Sequence, residues 1–259
     1  MARVGIAGDW HGNAFHATKS LGTFSRLGIS KVYHLGDFGF GFGVNYEKSV
    51  DVELDRLVMT LDVVEGNHEN YNYLNSFPVA ENGQRNITPR IKALGRGQRW
   101  NIGDTSFVAL GGAASVDRKW RTPGRDWWPE EYITHNDVAY TAAGGYADVM
   151  LTHDLPSGVY IKLGPQSDWP EEDIIRSDEN RAMLRLAVDA VKPRLLMHGH
   201  YHIHNDEIEI NLDEYAQEEI TRFVGFDREG KKHNLAILDT ETLELEWIHY
   251  WTGTSTWEN

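Results

Sequence analysis

The chain has 259 residues, 41% of them apolar, a formal net charge of −14 and no cysteine. Disulfides and thiolate metal ligands are therefore excluded, and no apolar run approaches membrane-spanning length. The acidic balance also argues against a dedicated nucleic-acid binder, whose affinity would rest on Lys and Arg at phosphates. A phosphorylated small substrate remains compatible, because bound cations reverse the local field of an acidic protein.

Length and apolar content fit one α/β domain over 1–259. Val4 to Ala7 reads as a strand, and Asn13 to Leu27 as a helix with Phe15, Thr18, Leu21, Phe24 and Leu27 on its core face. Lys31 to Leu35 is a second strand. Val50, Leu54, Leu57, Val58 and Leu61 have helical spacing, and Leu61 to Val64 is a third strand. This rhythm predicts a parallel core. Strands follow at Arg90 to Leu94, Arg99 to Ile102 and Thr105 to Leu110, the last two joined by a Gly103-Asp104 turn. An insertion spans about 115–133. Thr134 and Asp137 form a capping box for a helix ending near Gly144. Asp148 to Leu151 is a strand. Ser177 is read as the N-cap of a helix with Met183, Leu184, Ala187, Val188 and Val191 facing inward. Arg194 to Met197 is a strand, and 206–250 reads as β-rich hairpins. Met1 to Gly8 lacks a long apolar leader, and cleavage there would remove Asp9 and His11, so a cytoplasmic protein is expected.

Polar clusters follow the apolar strands: Asp9-Trp10-His11, Gly36-Asp37, Gly66-Asn67-His68-Glu69, Thr152-His153 and Gly199-His200-Tyr201-His202. Taken singly, an Asp-x-His or a buried His has an ordinary structural explanation. Carboxylates, an amide and imidazoles recurring at strand ends, where α/β folds place their sites, point instead to a metal centre with oxygen and nitrogen ligands. Glu69, Asp154 and His34 fit either partners that orient imidazoles or ordinary turn residues. His198 and His204 are read as supporting or surface residues.

These motifs, Asp-x-His, Gly-Asp, Gly-Asn-His-Glu, a strand-terminal His and Gly-His-x-His, resemble those of calcineurin-like metallophosphoesterases and span residues 9–202. The resemblance implies a four-layer α/β/β/α sandwich with a dinuclear metal site at strand C-terminal ends. It assigns Asp9, His11, Asp37 and His202 to one divalent ion and Asp37, Asn67, His153 and His200 to the other. Manganese is the expected metal, with Fe²⁺ or Zn²⁺ also suited. In such enzymes a metal-bridging hydroxide attacks in line, and His68, which is not a ligand, is the implied general acid.

The Gly-Asp-Trp-His-Gly form resembles the phosphoprotein phosphatase and dinucleotide tetraphosphatase branch, but the Asp-Arg-Gly of that branch is replaced by Phe38-Gly39-Phe40-Gly41-Phe42-Gly43. Loss of that phosphate-gripping Arg favours small phosphodiesters, cyclic nucleotides among them, over phosphomonoesters, phosphoproteins or dinucleoside polyphosphates. The Phe-Gly run is read as an apolar pocket wall or a plain crossover. A non-catalytic scaffold is the remote reading, since no ligand is missing. In the insertion, Arg118, Arg121 and Arg125 are candidate phosphate contacts, while Trp120, Trp127 and Trp128 pack it down or stack a base. Asp117, Asp126, Glu130 and Glu131 are available to pair with those arginines. The oligomeric state is left open.

Overall fold

Strand alternation builds the layers. The computed structural model describes residues 2–43, 45–164, 168–212 and 215–249. Along β1 (Arg3–Ala7), Val4 and Ile6 face a second sheet while Ala7 faces a helical layer, the period-2 split of any strand. The chain continues through α1 (Ala14–Arg26), β2 (Lys31–His34), α2 (Tyr46–Leu57), β3 (Thr60–Val63), the one-turn α3 (Tyr71–Leu74), β4 (Arg85–Asn86) and β5 (Ile91–Ala93). Next come β6 (Arg99–Ile102) and β7 (Thr105–Leu110), two 3-10 turns at Arg118–Trp120 and Pro129–Glu131, α4 (His135–Ala143), β8 (Val149–Thr152) and α5 (Glu171–Val191). The last strands are β9 (Leu195–His198), β10 (Asn205–Leu212), β11 (Glu218–Gly225), β12 (Leu235–Asp239) and β13 (Leu245–Ile248).

One sheet runs β13-β12-β1-β2-β3-β5-β4 and the other β10-β11-β9-β8-β7-β6. β1, β2 and β3 are parallel neighbours, as are β7, β8 and β9. Three apolar cores separate four layers. Leu21, Phe24, Val50 and Leu54 pack α1 and α2 on the first sheet. Ile6, Leu35, Leu151 and Met197 fill the space between the sheets. Leu184, Ala187, Val188 and Val191 seat α5 on Met150 and Leu196 of the second sheet. This is the expected α/β/β/α sandwich. Among the described residues no helix is long and apolar enough to cross a membrane.

The elements depart from expectation where polar contacts override apolar spacing. On α1 the buried stripe is rotated: His16, Ala17, Ser20, Leu21, Thr23 and Phe24 turn inward, whereas Phe15 is 67% and Leu27 44% exposed. A hydrogen bond of 2.7 Å between His16 Nε2 and Asn234 Oδ1 occupies the inward position beside Phe15. α2 stops at Leu57, because Val58 takes a left-handed conformation and turns outward, and Leu61 belongs to β3. Ser177 is not a cap. It lies buried inside α5, which begins six residues earlier at Glu171. That first turn is held by polar bonds, Arg118 Nε at 2.8 Å and Lys119 N at 2.9 Å donating to the buried Asp173 carboxylate, so it carries no apolar signature. The Thr134–Asp137 capping box forms as expected. Asp213, Glu214 and Tyr250 of the β-rich span lie outside the described residues.

Phe24 is fully buried at the centre of the first helical layer. Phe24→Ala is expected to destabilise the protein by about 3–5 kcal/mol, read from the urea-unfolding midpoint at unchanged m-value.

Candidate metal centre

Each motif leaves the C-terminal end of a parallel strand, β1, β2 and β3 in one sheet and β8 and β9 in the other, so the side chains converge at one rim of the sandwich. Tight loops then turn the side chains inward. His11, Asp37, His200 and His202 hold left-handed conformations, with φ of 45°, 52°, 69° and 55°. Such values are uncommon outside glycine and concentrate at functional sites. Glycines supply clearance. A Cβ on Gly66 would overlap the Asp37 carboxylate, and one on Gly199 would overlap that of Asp9.

Asp37 lies at the middle, 1% exposed. Its Oδ1 accepts the His68 backbone N–H at 2.7 Å and lies 3.2 Å from His153 Nε2. Its Oδ2 is 3.5 Å from His11 Nε2 and 4.0 Å from His68 Nε2. Burial opposes ionisation here, yet the imidazoles of His153, His68 and His11 hold the carboxyl well below the usual range. Asp9 is fully buried; its Oδ2 is 3.2 Å from His202 Nε2 and accepts the His200 N–H at 3.2 Å. The His200 ring centroid is 5.1 Å from that of His153. Burial works to lower both His11 and His153. Asp37, Glu229 and Asp9 nevertheless push His11 up to about 10, and Asp37 raises His153 to about 9.

The donor set fits divalent cations. His153 Nδ1 donates to the Leu35 carbonyl at 2.7 Å, which turns Nε2 toward two oxygens, Asp37 Oδ1 at 3.2 Å and Asn67 Oδ1 at 3.1 Å. Nε2 and the two oxygens thus converge on one point, where a proton bridges them in the free protein and a metal ion could take its place. His202 Nε2 is buried and makes no well-aligned hydrogen bond, although Asp9 Oδ2 lies 3.2 Å away. Ligand atoms from Asp9, His11, Asp37 and His202 all lie within 4.8 Å of one another. Glu229, which the sequence reading did not single out, accepts from His11 Nδ1 at 2.9 Å and fixes that ring.

His68 Nε2 accepts from Arg121 Nη2 at 2.9 Å. Burial lowers the His68 pKa, and Arg121 and His11 lower it further. Arg121 is braced by Asp117 at 2.7 Å. Of the arginines singled out, it alone reaches the site. Arg118 is locked to Asp173 and lies over Trp127, and Arg125 is 73% exposed against Asp126. Trp128 is buried, while Trp120 is exposed and packs on Trp169 at 5.7 Å. Phe38 and Phe40 belong to the core rather than to a pocket wall, and Phe42 remains at the rim. Glu69 does not orient an imidazole. It accepts the N–H groups of Phe38, Gly39 and Phe40 at 2.9, 3.0 and 2.7 Å and so fixes the loop after Asp37. Asp154 accepts from Tyr201 Oη at 2.7 Å. His34 is fully buried between Trp10 and Phe38 without a hydrogen bond at either nitrogen.

The chain belongs to the calcineurin-like phosphoesterases, whose family model matches residues 2–204. It is a hydrolase acting on phosphoester bonds, and the family together with the His/Asp cluster points to a dinuclear site for divalent ions. Among solved structures, a dimetal phosphatase from Danio rerio is similar at 15% identity over 91% of this chain and 91% of its own, with a TM-score of 0.55. A Thermus thermophilus protein is similar at 10% identity over 94% and 96%, with a TM-score of 0.56. At these identities the likeness is one of fold. A sequence search of curated proteins finds no match.

Because Gly199 leaves no room beside Asp9, Gly199→Ala is expected to displace that carboxylate. One of two Mn²⁺ equivalents should then bind roughly 10–100-fold more weakly, as read by titration calorimetry.

Proposed function

We propose that this phosphoesterase hydrolyses small phosphodiesters. The observation that carries the reading is a pair of cavities meeting at His68 and Arg121. One, of about 400 Å³, holds Asn67, His200 and His202 and extends to Trp169, Ile174 and Tyr201. The other, of about 370 Å³, lies across His68 and is lined by His11, Gly39, Phe42 and Asp126. A diester carries one organic group on the leaving oxygen and another on the retained oxygen, so it needs room on both sides of phosphorus. A monoester needs room on one. Trp169 offers a face on which a base can stack, which suits nucleotide diesters, cyclic ones included.

In this reading Asp9, His11, Asp37 and His202 hold one ion, and Asp37, Asn67, His153 and His200 hold the other. Divalent ions there, manganese foremost, would supply charge for the phosphoryl oxygens and a water of lowered pKa. The chain's own residues do the rest. Arg121, a permanent donor, turns from His68 to a phosphoryl oxygen when substrate enters. That shift frees the His68 Nε2 lone pair, which takes up a proton from solvent and delivers it to the leaving oxygen. Phe42 and Trp169 exclude water from the two arms. The acidic surface leaves long nucleic acids without the phosphate contacts they require, so the expected substrate is small.

Metal-loaded protein should hydrolyse bis(p-nitrophenyl) phosphate faster than p-nitrophenyl phosphate, with activity abolished by chelator and restored by Mn²⁺. The opposite ratio would identify a monoesterase. His68→Ala should lower kcat by about 10²–10⁴-fold while both metals stay bound by elemental analysis; loss of a metal would make His68 a ligand instead.

A further inference from the structure

We infer that Ser115 and Glu131, neither a metal ligand, are positioning residues that set which end of the Asn67 amide faces the metal centre. The inference rests on the reading of Asn67 Oδ1 as a ligand. An amide's oxygen and nitrogen ends are nearly the same shape, yet only the oxygen can hold a cation. Something must choose between them.

Asn67 Nδ2 donates to Ser115 Oγ at 3.1 Å. Burial pushes the Glu131 carboxyl up to about 7; when it is ionised, the single hydrogen of the hydroxyl goes to Glu131 Oε2 at 2.7 Å. The other carboxylate oxygen, Oε1, accepts the Ser115 backbone N–H at 2.8 Å. With its hydrogen taken by the carboxylate, Ser115 Oγ presents only lone pairs to Asn67. The NH₂ end must therefore face Ser115, and Oδ1 is left 3.1 Å from His153 Nε2, on the metal side. A reversed amide would set oxygen against oxygen at Ser115 and N–H groups against the cation site. All three side chains are buried, Glu131 at 0%, Ser115 at 2% and Asn67 at 3% exposure, so a mismatched donor or acceptor there costs more than it would at the surface.

The far end of the relay is pinned to the frame. Glu131 closes the 3-10 turn at the end of the insertion. Arg96 donates to the carbonyls on either side of it, Glu130 O at 2.6 Å and Tyr132 O at 2.5 Å. Arg96 is itself bound to Asp137 at 3.0 Å and lies 3.5 Å from Glu65, two residues before Asn67. Selection thus passes from a fixed carboxylate through a hydroxyl to the amide.

The test is Mn²⁺ titration calorimetry on the full-length protein at about pH 8, above the pKa of about 7 to which burial raises Glu131. Ser115→Ala should weaken one Mn²⁺ by roughly 10–100-fold and leave the other within about twofold. Glu131→Gln separates positioning from packing. Its NH₂ group donates to Ser115 Oγ, which turns the hydroxyl hydrogen toward Asn67 and favours the reversed amide. It should therefore weaken the same Mn²⁺ at least as much as Ser115→Ala, whereas a purely structural role predicts a milder effect from the near-isosteric change. Asn67→Asp in the Ser115→Ala background should restore that Mn²⁺, because a carboxylate has oxygen at both ends. Unchanged affinities in Ser115→Ala and Glu131→Gln, or failure of the Asn67→Asp rescue, would overturn the inference. Wild-type protein that binds a single Mn²⁺, with Asn67→Ala unaffected, would overturn the metal reading beneath it.

Discussion

A carboxylate buried among imidazoles from both sheets is the interaction on which the rest of the structure depends. Asp37 is shielded from water, and an ion in that position costs several kcal/mol unless it is fully partnered. Its partners come from opposite layers: His11 and the His68 backbone from the first sheet, His153 from the second. A further tie, His153 Nδ1 to the Leu35 carbonyl, crosses the same gap just before Asp37. The two sheets are thus joined at their catalytic rim by polar bonds and below it by the apolar seam of Ile6, Leu35, Leu151 and Met197. Close-packed interiors transmit small displacements. A shift between sheets would therefore be felt first as a change in the Asp37–His153 separation.

The insertion between β7 and α4 supplies what the strand ends lack. One end carries Arg121 to His68, and the other carries Glu131 to Ser115 and so to Asn67. Consecutive residues of the Gly-Asn-His turn, Asn67 and His68, are therefore each hydrogen-bonded to that segment. Its anchors are electrostatic: Asp173 holds Arg118 and the Lys119 amide, and Arg96 holds the carbonyls around Glu131. Trp128 adds an apolar anchor in the first helical core. Charge and hydrogen bonding place this segment more than hydrophobic spacing does.

That difference explains what the sequence could reveal. Strands such as Arg3–Ala7 and Leu195–His198 are legible because burial on both faces leaves a continuous apolar run, and their polar ends stand out against it. The motif residues at those ends were legible too, and the structure gathers all of them at one rim. The extent of α5 was hidden because its first turn is bound through Asp173, a residue that looks like solvated surface in sequence. In sequence Glu131 looks like a partner for the insertion's arginines, and only its burial beside Ser115 shows otherwise. Glu229 is separated from His11 by nearly the whole chain, and no local pattern links them. The rotated face of α1 has the same origin, since His16 turns inward to meet Asn234, a partner no helical period can reveal.

The left-handed conformations of His11, Asp37, His200 and His202 bear on how the centre is filled. Each costs about 1–2 kcal/mol relative to ordinary backbone, in loops held by the Glu69 cradle after Asp37 and by close approach of carboxylates at Gly66 and Gly199. The fold thus carries a backbone cost at this rim, which packing elsewhere in the sandwich offsets. A divalent ion held here would be selected by fit and ligand chemistry, because the packed loops leave little freedom to adapt to the wrong one.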